Sequence, residues 1–162
     1  MGFYDLPKAE RDALVANMNE RLLDDLRSGG DDYPLEYFAD EDTYIRKTAY
    51  VAIGRIYYAH PRLNDHIIHV LQTLLANSEP RVRQTVVNAA GEIGKTDFVI
   101  VQQFFDTGLF DDHHSVRNAV IGLRLTGPCS AIATGAGFAT AGCAVSSPWM
   151  YARKSSTAIR PP

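Results

Sequence analysis

Apolar positions recur at helical spacing along most of this chain, and the stripe they form changes at regular intervals. Leu14, Met18, Leu22 and Leu26 repeat every four residues, which predicts a helix from about Pro7 to Arg27. Pro7 suits a first helical position and Ser28-Gly29-Gly30 ends the run. Pro34 to Phe38 predicts one short turn of helix, with Leu35, Tyr37 and Phe38 packing beneath the next element. A stripe of Ile45, Ala49, Ala52, Ile53 and Ile56 predicts a helix over 42–59, broken at His60-Pro61, where proline lacks the N–H that would continue it. Leu63, Ile67, Val70, Leu71 and Leu74 predict an antiparallel partner over 63–76. Ser78-Glu79-Pro80 then opens a helix through Val82, Val86, Ala89, Ala90 and Ile93 to Gly94. Its expected partner spans 97–108, with Phe98, Val101, Phe104 and Phe105 as its bulk.

These helix pairs are copies of one unit. Asp40, Asn77 and Asp111 each precede an arginine by six residues, namely Arg46, Arg83 and Arg117, and the arginines lie 37 and 34 residues apart. Aligned on them, Ile45, Val82 and Val116 precede the arginine, while Ala49, Val86 and Val120 follow by three and Ala52, Ala89 and Leu123 by six. A period of this length marks a helix-pair solenoid, whose units bury their apolar faces only by stacking on neighbours. The expected fold is therefore an all-α right-handed α-α solenoid. Residues 1–39 read as an N-terminal helical cap, and 40–127 as two complete repeats and one incomplete. Residues 128–162 read as a poorly ordered tail rich in Ala, Gly and Ser. The third unit departs from the pattern where Arg124 takes the place of Ile53 and Ala90, and Gly127-Pro128 then ends the helix. The change in composition at Leu123 is also what a shift of reading frame would produce.

The recurring polar pair has a structural use. An Asp or Asn in the turn accepts hydrogen bonds from N–H groups at the start of the next helix. The arginine one turn later reaches back to the carboxylate of its own or the adjacent repeat. Asp40, Arg46, Asn77, Arg83, Asp111 and Arg117 are thus expected to form a ladder along the inter-repeat seam. These same residues carry a resemblance to HEAT-repeat proteins. Asn77-Ser78-Glu79-Pro80-Arg81-Val82-Arg83, followed by Asn88-Ala89-Ala90-Gly91-Glu92-Ile93-Gly94, resembles the short HEAT-like units of DNA-alkylation-repair-type and bilin-lyase-type proteins. The resemblance covers about residues 40–122. The first type implies DNA held on a concave surface, aromatics cradling a damaged nucleotide and an acidic residue near the scissile bond. The second implies a partner subunit and a chromophore. The chain departs from the glycosylase pattern, since its one tryptophan, Trp149, lies in the tail, and the second helices, 63–76 and 97–108, contain no Lys or Arg.

Charge sharpens that departure. All 19 acidic residues lie at or before Asp112 against 11 basic ones there, a net charge of about −8, which disfavours a phosphate-binding surface. Neither Cys129 nor Cys143 lies in the repeats, and their spacing fits two free thiols in a reducing compartment. Met1 to Leu6 lacks the build of a signal peptide, so a cytoplasmic location is expected. The uncharged stretch 125–152 has too few large aliphatics to be read as a membrane span. His66 and His69 with Asp65 are too few for a zinc site, and His113-His114 and Asp40-Glu41-Asp42 fit helix starts. No cofactor, metal or catalytic constellation is expected. The aromatics Tyr33, Tyr37, Phe38, Tyr44, Tyr50, Tyr57 and Tyr58 are expected mainly to fill the interface between cap and first repeat, with some of them, chiefly Tyr57 and Tyr58, as the alternative surface for a protein or peptide partner, for which His66 and His69 are further candidates. The function expected is a non-catalytic binding scaffold, with a DNA-binding or alkylation-repair-like role as the alternative.

Overall fold

The computed structural model describes residues 3–126, with side chains to Leu123. The expected tail, Cys129, Cys143, Trp149 and the side chain of Arg124 fall outside that range. Helix α1 is Lys8–Ser28, α2 Asp32–Ala39, α3 Thr43–Ala59, α4 Asn64–Leu75, α5 Pro80–Gly94, α6 Phe98–Leu109 and α7 His114–Thr126. Short 3-10 turns cover Phe3–Asp5 and Pro61–Leu63, and no strand occurs among the described residues. The fold is all-α, with its helices packed as HEAT-like repeats.

Local chemistry sets the boundaries. Gly29 leaves α1 at φ 83°, a left-handed conformation that a Cβ would oppose, and the Gly30 N–H donates to the Asp25 carbonyl at 2.9 Å. Pro7 stands one residue outside α1 rather than at its first position, because its ψ of 153° is extended. Asp42 caps α3 by accepting from the Tyr44 N–H at 2.8 Å. Pro61 begins a separate 3-10 turn, so Leu63 falls there and α4 starts one residue later than the stripe suggests. Helix α2 is longer than expected, since Asp32 and Tyr33 join it.

Helix α5 is the hub. It packs against α2, α3, α4, α6 and α7, and its buried residues surround the helix: Val82, Thr85, Val86, Val87, Ala89, Ala90, Ile93 and Gly94. Small side chains permit that crowding. A methyl group at Gly54 of α3 would lie 2.7 Å from the Glu92 Cβ of α5, so the missing side chain sets how closely those helices approach. Helices α3, α5 and α7 form a row, with α4 against α3 and α5, and α6 against α5 and α7. Helices α1 and α2 pack on α3, and α2 also reaches α5. There the Thr85 hydroxyl, donating to the Arg81 carbonyl at 2.8 Å, lies 3.5 Å from the Phe38 carbonyl. Met18, Leu22, Leu26 and Phe38 join Ile53, Ile67, Leu71, Val86, Ile93, Phe104 and Val120 in one continuous core.

Candidate partner surfaces and the inter-repeat seam

The three turns that open α3, α5 and α7 share one geometry. In each, the first side chain accepts from the backbone N–H two residues on: Asp40 from Asp42 at 2.7 Å, Asn77 from Glu79 at 2.8 Å, and Asp111 from His113 at 2.8 Å. These are Asx turns lying just before the helices rather than bonds within the first helical turn. Each arginine then folds back so that its Nη1 donates to two carbonyl oxygens of the same turn. Arg46 reaches Asp40 and Glu41 at 2.6 and 2.9 Å, and Arg83 reaches Asn77 and Ser78 at 2.9 and 3.0 Å. Arg117 reaches Asp111 and Asp112 at 2.6 and 2.8 Å. The clamp within each turn is thus made to carbonyls, not to the turn's own carboxylate, because the carbonyls left free by the turn point toward the guanidinium.

A link between repeats occurs at Arg83. Its Nε and Nη2 donate to the two oxygens of Asp111 at 2.7 and 2.9 Å, a bidentate pair joining the start of α5 to the start of α7. The Arg83 hydrogen bond holds the Asp111 carboxyl below its ordinary range against the opposing effect of burial, and Asp111 in turn raises Arg83. Arg46 has the neutral Asn77 at the equivalent place and bonds Thr43 at 3.1 Å instead. Between α3 and α5 an exposed contact of 3.8 Å, Glu41 to Arg81, bridges the turns.

The expected aromatic surface is rearranged. Tyr57 is buried at 4% exposure, which raises its hydroxyl above the usual range, so it does not face a partner. Its place on the stripe beside Ile53 and Ile56 turns it into the core. Tyr58 is exposed along one side, but its hydroxyl donates to the Ile93 carbonyl at the end of α5, with its ring edge-on to Tyr57 at 5.5 Å. His66 Nε2 lies 3.2 Å from the Gly30 carbonyl, tying α4 to the α1–α2 loop, while His69 is exposed. Of the four, Tyr58 and His69 are exposed, His66 is half-buried and Tyr57 is buried. Among the described residues no group of three or more potential ligands gathers for a metal.

Two other surfaces stand out. On α6, Val99 is 81% exposed and Ile100 41%, with Phe98 at the rim stacking on Phe105 at 5.6 Å, and the exposed Phe110 just beyond the helix. Phe98 is thus less enclosed than its place in the expected core implies. The run Phe98-Val99-Ile100-Val101 held the signal: one helix face can bury only part of four consecutive apolar residues. The second surface is a groove of about 290 Å³ between α1 and α3, lined by Phe3, Tyr4, Val15, Tyr44, Lys47 and Arg55 among others. Its aromatic wall is braced. Asp42 accepts the Phe3 N–H at 2.6 Å, Tyr4 meets Tyr44 edge-on at 4.2 Å, and Arg11 lies 5.1 Å over the Tyr4 ring. The Phe3 and Tyr44 N–H groups lower the Asp42 carboxyl below its ordinary range.

Repeated helix pairs, shared turn clamps and a continuous core define a HEAT-like helical-repeat protein. The chain belongs to the Cnd1 family, described as non-SMC mitotic condensation complex subunit 1, whose profile matches residues 14–109. It is also similar to AP-1 complex subunit beta of Dictyostelium discoideum, with 32% identity over 93 residues, covering 56% of this chain and 9% of that protein. The chain therefore spans under a tenth of the length of that relative. No solved structure matches it. Neither protein named is of the alkylation-repair or bilin-lyase type, so that narrower resemblance draws no support from them. Among the described residues, no helix is long and apolar enough to cross a membrane.

Proposed function

We propose that the chain is a non-catalytic helical-repeat scaffold that binds a protein or peptide partner. The observation that carries the reading is the outer surface of α6. Its exposed Val99 and Ile100, with Phe98 at the rim, lie on a helix whose sole charge is Asp106. Desolvating such a surface favours an apolar partner, at roughly 25 cal/mol per Å² of apolar area covered. A phosphate backbone gains nothing from it, because neither α4 nor α6 contains Lys or Arg. The names of the matched family and of the Dictyostelium protein, both subunits of complexes, support a protein partner. The family match begins inside α1, which supports reading α1 and α2 as a unit of the array as well as its cap. We further propose that the turn residues Asp40, Arg46, Asn77, Arg83, Asp111 and Arg117 serve the stack rather than a ligand.

The alternative, a DNA-binding or alkylation-repair-like role, is separated by one comparison. The chain is mixed at low salt with duplex DNA containing an alkylated base, and in parallel passed over a column carrying cell extract proteins. The scaffold reading expects no mobility shift, together with retention on the column that Val99→Asp/Ile100→Asp abolishes without lowering the melting temperature. A salt-dependent shift of the duplex, unaffected by that double substitution, would replace the reading with the alternative.

A further inference from the structure

We propose that the groove between α1 and α3, on a different surface from α6, receives an extended acidic segment of a partner protein anchored by one apolar side chain. Three observations carry this. The first is charge. Lys47 and Arg55 line the groove, both are exposed, and neither makes an ion pair within the described residues. Two uncompensated cations beside one cavity, on a body that carries about −8 over residues 1–112, form a local field that favours carboxylates and steers them inward.

The second is shape. Between the cations, Val51 and Val15 face the cavity from α3 and α1, and the rings of Phe3, Tyr4 and Tyr44 close one end. A volume of about 290 Å³ suits one large apolar side chain and its flanking backbone rather than a whole helix. Asn19 and Thr48, also in the lining, offer hydrogen-bonding groups to that backbone. The wall is set in advance: with Phe3 held by Asp42 and Tyr4 held between Tyr44 and Arg11, little ordering remains to be done on binding.

The third is spacing. Lys47, Val51 and Arg55 stand at intervals of four on one ridge of α3, so the two cations are about 12 Å apart along the axis at 1.5 Å per residue. An extended peptide advances about 3.3 Å per residue, and residues i, i+2 and i+4 share one face. Carboxylates at i and i+4 then span about 13 Å, with the side chain at i+2 pointing between them toward Val51. The groove therefore fits the pattern acidic-x-apolar-x-acidic.

The test uses the full chain and a fluorescein-labelled nonapeptide with Glu at positions 3 and 7, Phe at position 5, and Gly or Ser elsewhere, followed by anisotropy. The proposal expects saturable binding, weakened at least tenfold by replacing the Phe with Ala. A similar loss is expected on Lys47→Ala/Arg55→Ala, whose exposed side chains can be removed without unfolding the chain. Lys47→Glu/Arg55→Glu should prefer the same peptide with Lys at positions 3 and 7. Absence of binding overturns the proposal, as does affinity unchanged by the double alanine substitution or by loss of the Phe. Concentration-dependent self-association abolished by Lys47→Ala/Arg55→Ala reassigns the groove to a second copy and likewise overturns it. Because these substitutions are on α3, the outcome is independent of the Val99 and Ile100 result.

Discussion

Replacing Arg83 with alanine removes four hydrogen bonds at once. Two go to the carbonyls of Asn77 and Ser78, and two form the bidentate pair with Asp111. The pair is largely enclosed, with side-chain exposures of 16% for Arg83 and 10% for Asp111, so water replaces the guanidinium poorly. Breaking one side of a buried pair costs about 3 to 5 kcal/mol, and the remaining solvent contact places this one near the lower end, about 3 kcal/mol. Arg46 makes the same two carbonyl contacts without an adjacent carboxylate, so Arg46→Ala should cost only about 1 kcal/mol. For a domain of this size each kcal/mol shifts the midpoint by roughly 4 °C, so the two variants should melt about 12 °C and about 4 °C below wild type. Circular dichroism at 222 nm follows both, and urea titration converts the shifts to free energies. A double-mutant cycle of Arg83→Ala with Asp111→Ala should return a coupling of about 2 kcal/mol. Equal losses from Arg83→Ala and Arg46→Ala, or a coupling near zero, would refute the claim that this pair joins the repeats.

Three further outcomes follow from the same geometry. Because Arg83 lowers the Asp111 carboxyl in the folded chain, its contribution is present above the ordinary carboxylate range and is lost as pH falls through the lowered value. The stability gap between wild type and Asp111→Asn should thus be constant from pH 5 to 8 and narrow below about pH 4. A gap that persists to pH 2 would contradict this. Gly54→Ala should destabilise by about 1 to 3 kcal/mol, since its methyl meets the Glu92 Cβ at 2.7 Å and α3 must move from α5. An unchanged urea midpoint would show that the helices separate freely. Tyr58→Phe should cost about 1 kcal/mol by removing the hydroxyl's bond to the Ile93 carbonyl, while Tyr57→Ala should cost about 3 kcal/mol by emptying a core position. Reversal of that order in thermal melts would place Tyr57 outside the core.

Helix positions were legible in the sequence because their signals are local. Spacing of four residues in α1 and the Pro80 and Gly29 boundaries act within a few residues of where they stand. The arginine clamps were legible as a period but not as a geometry. Nothing in Asp40-x5-Arg46 distinguishes a carbonyl acceptor from a carboxylate, since that depends on how the turn aims its backbone. Tyr57 and Tyr58 show the same limit: neighbouring tyrosines diverge by about 100° around a helix, so one enters the core while the other lies across the end of α5. The α1–α3 groove was hidden more deeply. Phe3 and Tyr4 are about 40 residues from Tyr44, and the Asp42 bond to the Phe3 N–H brings them together with the ring contacts to Tyr44. The reach of α2 to α5 is likewise a matter of tertiary packing, with no trace in the short Pro34 to Phe38 pattern.

The scaffold reading is tested most directly by a photo-crosslinking amino acid at position 99, on the exposed face of α6, with the same group at the exposed position 13 of α1 as control. Irradiation in cell extract should yield a discrete protein adduct from position 99, none from position 13, and none when Ile100→Asp accompanies the probe. Equal labelling from both positions, or an adduct that survives Ile100→Asp, would contradict a partner surface on α6.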